Sequence, residues 1–430
     1  MRLRSIISFA LIAALFLPAL TFSQANTIDL IKVEGIINPV AAEFITNSIK
    51  AAQKESVQCL IIQLDTPGGL DTSMRQIVKA MLNAELPVVV YVAPDGARAA
   101  SAGVMITMAA HIAAMAPGTN IGAAHPVALG EGKMSREMAE KVENDAVAYT
   151  RGIADKRNRN GEWAEKAVRE SVSINAKEAL KLKVIDIVSP DVKDLLKQLD
   201  GREVVIDTKK ITLATKDAEL RQKEMSLRDR ILDTLSNPTI AYILMMLGLA
   251  GFYFELAHPG VLFPGIMGAI CLVLAFYSFQ TLPVNYAGVL LILLGIGFFL
   301  AEIKVASYGL LSVGGTIALL LGSLMLFDSP APYLRVSMQV VLSTVLITAG
   351  FFIAVASLAF RAYLRKPTTG SEGLVGMVAI ATSRIAPQGK VFVHGEYWNA
   401  CSDEPIEKEE EVEVTKVEGL KVRVRKINKP

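Results

Sequence analysis

The chain has 430 residues, 52% of them hydrophobic, which is too apolar for an ordinary soluble enzyme of this length. With 44 lysines and arginines against 42 aspartates and glutamates the formal net charge is +2, so no basic surplus exists to bind nucleic acid, and no nucleic-acid partner is expected. Cys59, Cys271 and Cys401 fall in unrelated segments and imply no disulfide framework; together with His111, His125, His258 and His394 they match no metal spacing, and neither metal nor cofactor is expected.

The apolar excess is local. Arg2 and Arg4 precede an uncharged run from Ser5 to Leu20, and Ser23-Gln24-Ala25 fits a small-x-small cleavage site. Residues 1–25 therefore read as a secretory signal, with an uncleaved anchor as the alternative. Either form places the adjoining domain outside the cytoplasm.

Next come alternating strands and helices. Leu60-Ile61-Ile62-Gln63-Leu64 reads as a buried strand that ends in Asp65-Thr66-Pro67-Gly68-Gly69, and a helix can start at Asp71. A second buried strand, Leu86 to Val92, ends in Ala93-Pro94-Asp95-Gly96, and the helix after it carries Ser101 near its N-terminus within Ala99-Ala100-Ser101-Ala102-Gly103. Such alternation predicts an α/β domain with a parallel sheet, and sites in such sheets lie outside the carboxyl ends of the strands, where the glycine pair and Ser101 both fall. A serine hydroxyl beside convergent backbone N–H groups is the minimum apparatus for acyl transfer. Taken bare, Ser-Ala-Gly serves equally well as tight packing at a helix start, and Pro-Gly-Gly as a turn. Asp65 and Asp95 read as turn and capping residues, and Ser73 as part of a helix start.

Beyond about Asp191 the chain is charged as far as Ser236, where Arg228 and Arg230 alternate with Ile231, Leu232 and Leu235 as in a helix lying at a membrane surface. From Thr239 to Ala301 it is almost uncharged, long enough for about three crossings at roughly 20 residues each. Breaks fall at His258-Pro259-Gly260 and Pro283-Val284-Asn285, and further spans run from about Tyr308 to Phe327 and from Ser337 to Phe360, giving about five. An odd number puts Lys304, Arg361, Arg365 and Lys366 inside, with only Arg335 on the unexpected side. Glu255 and Glu302 lie at span ends, where carboxylates reach the headgroups. The last sixty residues alternate in period two, with five short strands and glycine turns at Gly389, Gly395 and Gly419, which predicts a small barrel. Phe392, Tyr397 and Trp398 are its few aromatics and 404–413 is acidic, so protein docking suits it better than nucleic acid. The expected domains are thus a signal at 1–25, an α/β domain at 26–190, a charged linker with an interfacial helix at 191–237, transmembrane helices at 238–365 and a barrel at 370–430.

Leu64-Asp65-Thr66-Pro67-Gly68-Gly69, the Ala97 to Gly103 segment, Met115 to Pro126 and Ile174 to Asp186 resemble the Clp/crotonase-type serine proteases, and most closely the NfeD family of membrane-bound proteases. The membrane segment matches too, and the last segment resembles the NfeD C-terminal OB-fold domain. This resemblance implies a Clp/crotonase-like fold, Ser101 as nucleophile, and Gly69 and Ala102 as oxyanion-hole amides, with Gly68 shaping the turn. Two residues compete as the base. His125 lies about as far beyond the serine as the histidine of Clp-type peptidases, but Ser171 and Glu170 stand where those enzymes carry an aspartate, and a histidine without an orienting acid is a weaker base. Lys141, in Lys141-Val142-Glu143-Asn144, matches the lysine of the NfeD Ser-Lys dyad, which leaves His125 as a site-lining or backbone-pairing residue. A lysine base requires burial among apolar groups; Met138, Val142 and Ala148 provide it, whereas Glu137 and Asp145 oppose it. The resemblance implies a serine endopeptidase that cleaves apolar segments of stomatin-like membrane proteins, associated with membrane lipid and forming a homo-oligomer. The rival readings are a scaffold that organises such partners without catalysis and a crotonase-like acyl-CoA enzyme, for which no adenine or pantetheine signature is visible.

Overall fold

A computed structural model of the chain describes residues 26–127, 135–258, 260–305, 307, 309–327, 329, 332–363 and 371–427. The expected signal at 1–25, together with Arg365 and Lys366, lies outside the described residues.

Runs of Ile, Leu and Val bounded by turn residues form strands that alternate with amphipathic helices. In chain order these are β1 (Thr27–Glu34), α1 (Pro39–Glu55), β2 (Cys59–Asp65), α2 (Asp71–Leu82), β3 (Val88–Val92), β4 (Arg98–Ala100), α3 (Ala102–Ala109), β5 (Ile112–Met115) and β6 (Asn120–Gly122). After them come α4 (Arg136–Lys156), α5 (Gly161–Arg169), β7 (Ser173–Asn175), α6 (Ala176–Lys181), β8 (Ile187–Val188), α7 (Val192–Leu199), β9 (Glu203–Ile206), β10 (Lys209–Thr212), β11 (Glu219–Lys223) and α8 (Leu227–Leu235).

Six strands form an all-parallel sheet in the order β11-β1-β2-β3-β5-β8. Because strand side chains alternate, successive residues feed two separate cores. Leu60, Ile62, Leu64, Val88, Val90 and Val92 pack with Ile45, Ile77, Ile106, Ile153 and Trp163 from the helices of one face. Cys59, Ile61, Val89 and Tyr91 pack with Leu195, Leu199, Val204 and Ile206 on the other. A smaller sheet, β4-β6-β7, stands beyond the carboxyl ends of β2 and β3, attached through a bridge between Thr66 and Ala99.

The segment expected to be a charged linker is instead folded onto the α/β domain. Residues 192–223 complete the α/β domain: α7 and the β9–β10 hairpin cover one face of the sheet, and β11 pairs with β1 as an edge strand. Arg221 of β11 is neutralised by buried Asp29 (2.9 Å) and by Glu55 (2.7 Å). Only α8 corresponds to the expected lead-in helix. Its Asp233 accepts a 2.7 Å hydrogen bond from Asn38 Nδ2, whose Oδ1 caps α1.

Five apolar helices follow: α9 (Pro238–Ala257), α10 (Phe263–Phe279), α11 (Tyr286–Lys304), α12 (Leu310–Met325) and α13 (Met338–Tyr363). By length and composition α9 and α13 are each able to cross a membrane, whereas α10 to α12 are shorter apolar helices. Two compact units divide the chain. The first extends to Leu294 and takes in Ile317–Val345; the second comprises Gly295–Thr316 and the chain from Leu346 onward. Within the first, α9 and α10 cross so closely that a β-carbon on Gly251 would lie 2.5 Å from Pro264 O, the small-residue packing that membrane helices favour. Tyr242 of α9 meets Ser323 of α12 at 2.9 Å, and Ser337 N–H donates to Thr239 Oγ1 (3.2 Å), tying the start of α13 to α9. Within the second, Glu302 accepts from Ser307 Oγ and from the Gly309 and Ser312 amides, capping the start of α12.

The last domain is a closed barrel of β12 (Val378–Ala381), β13 (Gln388–Val393), β14 (Glu396–Cys401), β15 (Glu411–Glu418) and β16 (Lys421–Lys426), in the order β12-β13-β14-β16-β15. Parallel pairing of β14 with β16 inside an otherwise antiparallel barrel is the five-stranded Greek-key arrangement of the OB-fold. Gly389 lies inside β13 rather than in the turn expected there.

Candidate active site

The turn after β2 is clamped by its own threonine. Thr66 Oγ1 accepts from Gly68 N–H (3.0 Å), and its hydroxyl donates to Gly68 O (3.1 Å). Gly68 O also accepts from Ile37 N (2.9 Å), and Ile37 O accepts from Leu70 N (2.9 Å). Between these bonds the Gly69 N–H has no partner among the described residues. A β-carbon on Gly69 would lie 2.2 Å from Ile37 O, so the approach of the two backbones requires glycine there.

Ser101 is the N-cap of α3 and takes φ 53°, ψ −116°, a region that non-glycine residues rarely enter. Pairing on both sides holds it: Ala100 N–H donates to Thr66 O (3.0 Å) and Ser101 N–H to Gly122 O (3.2 Å). Its neighbour Ala102 contributes the first of the free amides that every helix N-terminus presents, and this N–H is also unpartnered among the described residues. The two segments touch. A β-carbon on Gly68 would stand 2.7 Å from Ser101 Cβ and 3.2 Å from Ser101 Oγ. A serine hydroxyl is thus held in a strained elbow, in contact with a turn whose next amide is unpaired.

The far end of α3 is anchored by buried Arg159. Its guanidinium donates to Met108 O (3.1 Å), Ala110 O (3.1 Å) and Val184 O (3.2 Å) and pairs with Asp186 at 2.8 Å. Arg157 adds a bond to Ala109 O (2.8 Å). These cations satisfy carbonyls that a helix C-terminus leaves open and complement its dipole. Beside them His111 Nδ1 accepts from Val88 N–H (3.2 Å), and burial, aided by Arg157 and Arg159, pushes its pKa down to about 3.

The two candidate bases come from separate segments, His125 from the loop after β6 and Lys141 from α4. His125 is exposed, with Nδ1 3.0 Å from Val168 O, and it lines a cavity of about 330 Å³ with Pro126, Arg136, Ala139, Glu140 and Val142. Its bonded neighbour is a backbone carbonyl, and no carboxylate meets its ring among the described residues. Lys141 is on the first half of α4, ahead of Ala146 where burial of that helix begins. It is exposed beside Met138 and Val142, without an ion pair or hydrogen bond among the described residues, so the apolar enclosure that a neutral amine requires is lacking in the isolated chain. One turn on, Asp145 bonds Arg75 of α2 (2.5 Å), which also bonds Asp71 (2.8 Å) and stacks 4.3 Å from the centroid of Tyr149. Spaced four residues from Asp145, Lys141 shares the face of α4 that turns toward α2, the helix that begins just after Gly68 and Gly69.

Three neighbours of the serine escaped the sequence reading. The clamp made by Thr66 is a local threonine turn, detectable in principle from its position before Pro67-Gly68. Gly122 acts only through its carbonyl, which has no side-chain signal. Tyr333, on a short 3₁₀ turn (Pro332–Leu334) after α12, brings its hydroxyl 3.0 Å from the point a Gly68 β-carbon would occupy.

Family models match the chain in three consecutive stretches: the NfeD1b N-terminal domain at 27–208, the NfeD integral membrane domain at 239–358, and the NfeD-like C-terminal, partner-binding domain at 371–426. The chain is 33% identical over 426 residues to the membrane-bound protease PH1510 of Pyrococcus horikoshii, covering 96% of each. To the membrane protein NfeD1b of Bacillus subtilis it is 28% identical, covering 94% of each. The chain belongs to the NfeD family. Among solved structures it is similar to the 1510-N membrane protease specific for a stomatin homolog from Pyrococcus horikoshii, at 31% identity over 49% of this chain and 99% of that one, with a TM-score of 0.44.

Proposed function

We propose that the chain is a membrane-anchored serine endopeptidase in which Ser101 attacks the scissile carbonyl, Gly69 and Ala102 amides hold the oxyanion, and Lys141 takes the serine proton. The observation that carries this reading is the strained Ser101 elbow packed on a glycine turn, with an unpaired amide on each segment. Aligned donors of this kind are each worth on the order of a hundredfold in rate. Lys141 is the base because it shares the α2-facing side of α4, whereas the ring of His125 is already engaged by Val168 O. Its exposure requires that bound peptide, or a second copy of the chain in a homo-oligomer, close over Met138 and Val142 and desolvate the amine. That same exposure favours the rival reading, a scaffold without catalysis.

The substrates are apolar segments of stomatin-like membrane proteins, as the family resemblance implies, and the barrel serves as the docking domain. The α/β domain lies outside the cytoplasm, five helices cross the lipid bilayer, and the barrel lies inside. Supporting this topology, the turn between α12 and α13 lies on the same side as the α/β domain, against Gly68. The domains are then a signal at 1–25, a protease domain from 26, a membrane domain at 238–365 and an OB-fold from 370.

Purified protein in detergent, treated with a labelled fluorophosphonate, tests the reading. Ser101 should be labelled; Ser101→Ala should abolish both labelling and peptide cleavage. Lys141→Ala should lose about 10² to 10⁴ in cleavage rate, against a modest loss for His125→Ala. An unlabelled serine would favour the scaffold; a dead His125→Ala beside an active Lys141→Ala would move the base to the imidazole.

A further inference from the structure

Tyr333 belongs to the membrane portion of the chain, yet its hydroxyl and the Ser101 Oγ converge on one point above Gly68, at 3.0 Å and 3.2 Å. The turn that presents it is fixed. Leu334 is buried, Arg335 Nε donates to Ser329 O (2.6 Å), and Ser337 N–H is bonded to Thr239 Oγ1. Arg335, the one charge on the unexpected side of the membrane, is thereby used in holding this turn. Tyr333 itself is half-buried, and its hydroxyl has no hydrogen-bond partner among the described residues. Burial lifts its pKa above the usual phenol value, with Arg98 pulling the other way, so the group is a protonated donor at neutral pH.

A partly buried tyrosine hydroxyl normally finds a partner. Here the described residues offer none, and the reacting serine is close enough that a peptide group attacked by Ser101 would pass within reach of both oxygens. The geometry points to Tyr333 as a substrate-binding residue: its hydroxyl donates a hydrogen bond to a backbone carbonyl of the bound peptide beside the scissile bond. The membrane portion then supplies one wall of the protease site, and the α/β domain alone lacks it. This inference rests on the endopeptidase reading.

The test compares full-length wild type, Tyr333→Phe and Tyr333→Ala in detergent. Fluorophosphonate labelling of Ser101 should proceed in all three at similar rates, because the small reagent needs only the serine and its amides. Cleavage of an apolar peptide built from Val, Leu, Ile and Ala should fall about tenfold in kcat/KM for Tyr333→Phe, matching one lost hydrogen bond to a neutral group. The loss should appear chiefly in KM. In a Ser101→Ala background, adding Tyr333→Phe should weaken binding of the same fluorophore-labelled peptide by a similar factor. Unchanged kcat/KM and unchanged binding in Tyr333→Phe would overturn the role of the hydroxyl, and faster cleavage by Tyr333→Ala would make the side chain an obstruction instead. Failure of the wild type to label would sink the endopeptidase reading itself, an outcome that the Tyr333 variants do not mimic.

Discussion

Adding one methyl group at Gly68 puts the geometry of the serine to a direct test. The β-carbon of Gly68→Ala would sit 2.7 Å from Ser101 Cβ, about an ångström inside ordinary carbon–carbon contact. Gly68 also has φ +123°, where an L side chain is strained, at a cost of about 1–3 kcal/mol. Because Thr66 and Ile37 hold both backbone groups of Gly68, relief must come largely from Ser101. Displacement of a reacting group by about 1 Å costs on the order of a hundredfold in rate. Fluorophosphonate labelling of Ser101 should therefore slow by about that factor, while the melting temperature in detergent drops by roughly 4–8 °C for about 2 kcal/mol in a domain of this size. Labelling within about threefold of wild type, with an unchanged melting temperature, would show that Gly68 and Ser101 are not in contact and would refute the site geometry.

Arg159→Met leaves three carbonyls without their common donor and removes the cation beside exposed Asp186; each buried acceptor left unsatisfied costs about 1–3 kcal/mol, and a melting shift of under about 2 °C would contradict the anchoring role. His111 titrates only near pH 3 in the folded chain but near its ordinary value of 6.5 when unfolded, so the unfolded state binds more protons between these values. Stability should hold above the unfolded value and fall as pH drops toward 3, and His111→Asn should flatten that fall; parallel melting curves against pH would exclude His111 as a cause. For topology, a cysteine at Glu162 should react with an impermeant thiol reagent on intact cells and a cysteine at Gly395 should not; equal labelling would refute an odd number of crossings. Native Cys59, pushed up to about 12 by burial, should stay silent in that assay.

Period and punctuation made much of the fold legible in the sequence. Ile and Val runs broken by Pro-Gly-Gly or Pro-Asp-Gly announce parallel strands and their carboxyl ends, and the barrel strands carry a clean period of two. β11 was invisible for a physical reason: an edge strand paired on one side only needs no apolar face, and Glu-Leu-Arg-Gln-Lys reads as solvated linker until Asp29 and Glu55 are seen to neutralise Arg221. Tyr333 is illegible for another. One aromatic in a short turn has no period, and its place over Gly68 arises from contacts across more than two hundred residues of chain. Lys141 shows the limit from the opposite direction, since its apolar neighbours Met138 and Val142 suggested enclosure and both are exposed.

The edge position of β11 also gives the chain a load path. No slack tether separates the sheet from the first apolar helix: β11 runs in register with β1 from Thr27↔Glu219 to Ile31↔Lys223, α8 comes almost at once, and Asn38 clips α8 to α1. A pull on α9, such as tilting under a change in bilayer thickness, is therefore resisted in shear by a row of strand hydrogen bonds and by the Arg221 ion pairs rather than absorbed by a hinge. The strain passes from β1 to β2, and β2 ends in the turn that carries Gly68 and Gly69. The placement of the Gly69 amide beside Ser101 is in this way mechanically in series with the membrane helices.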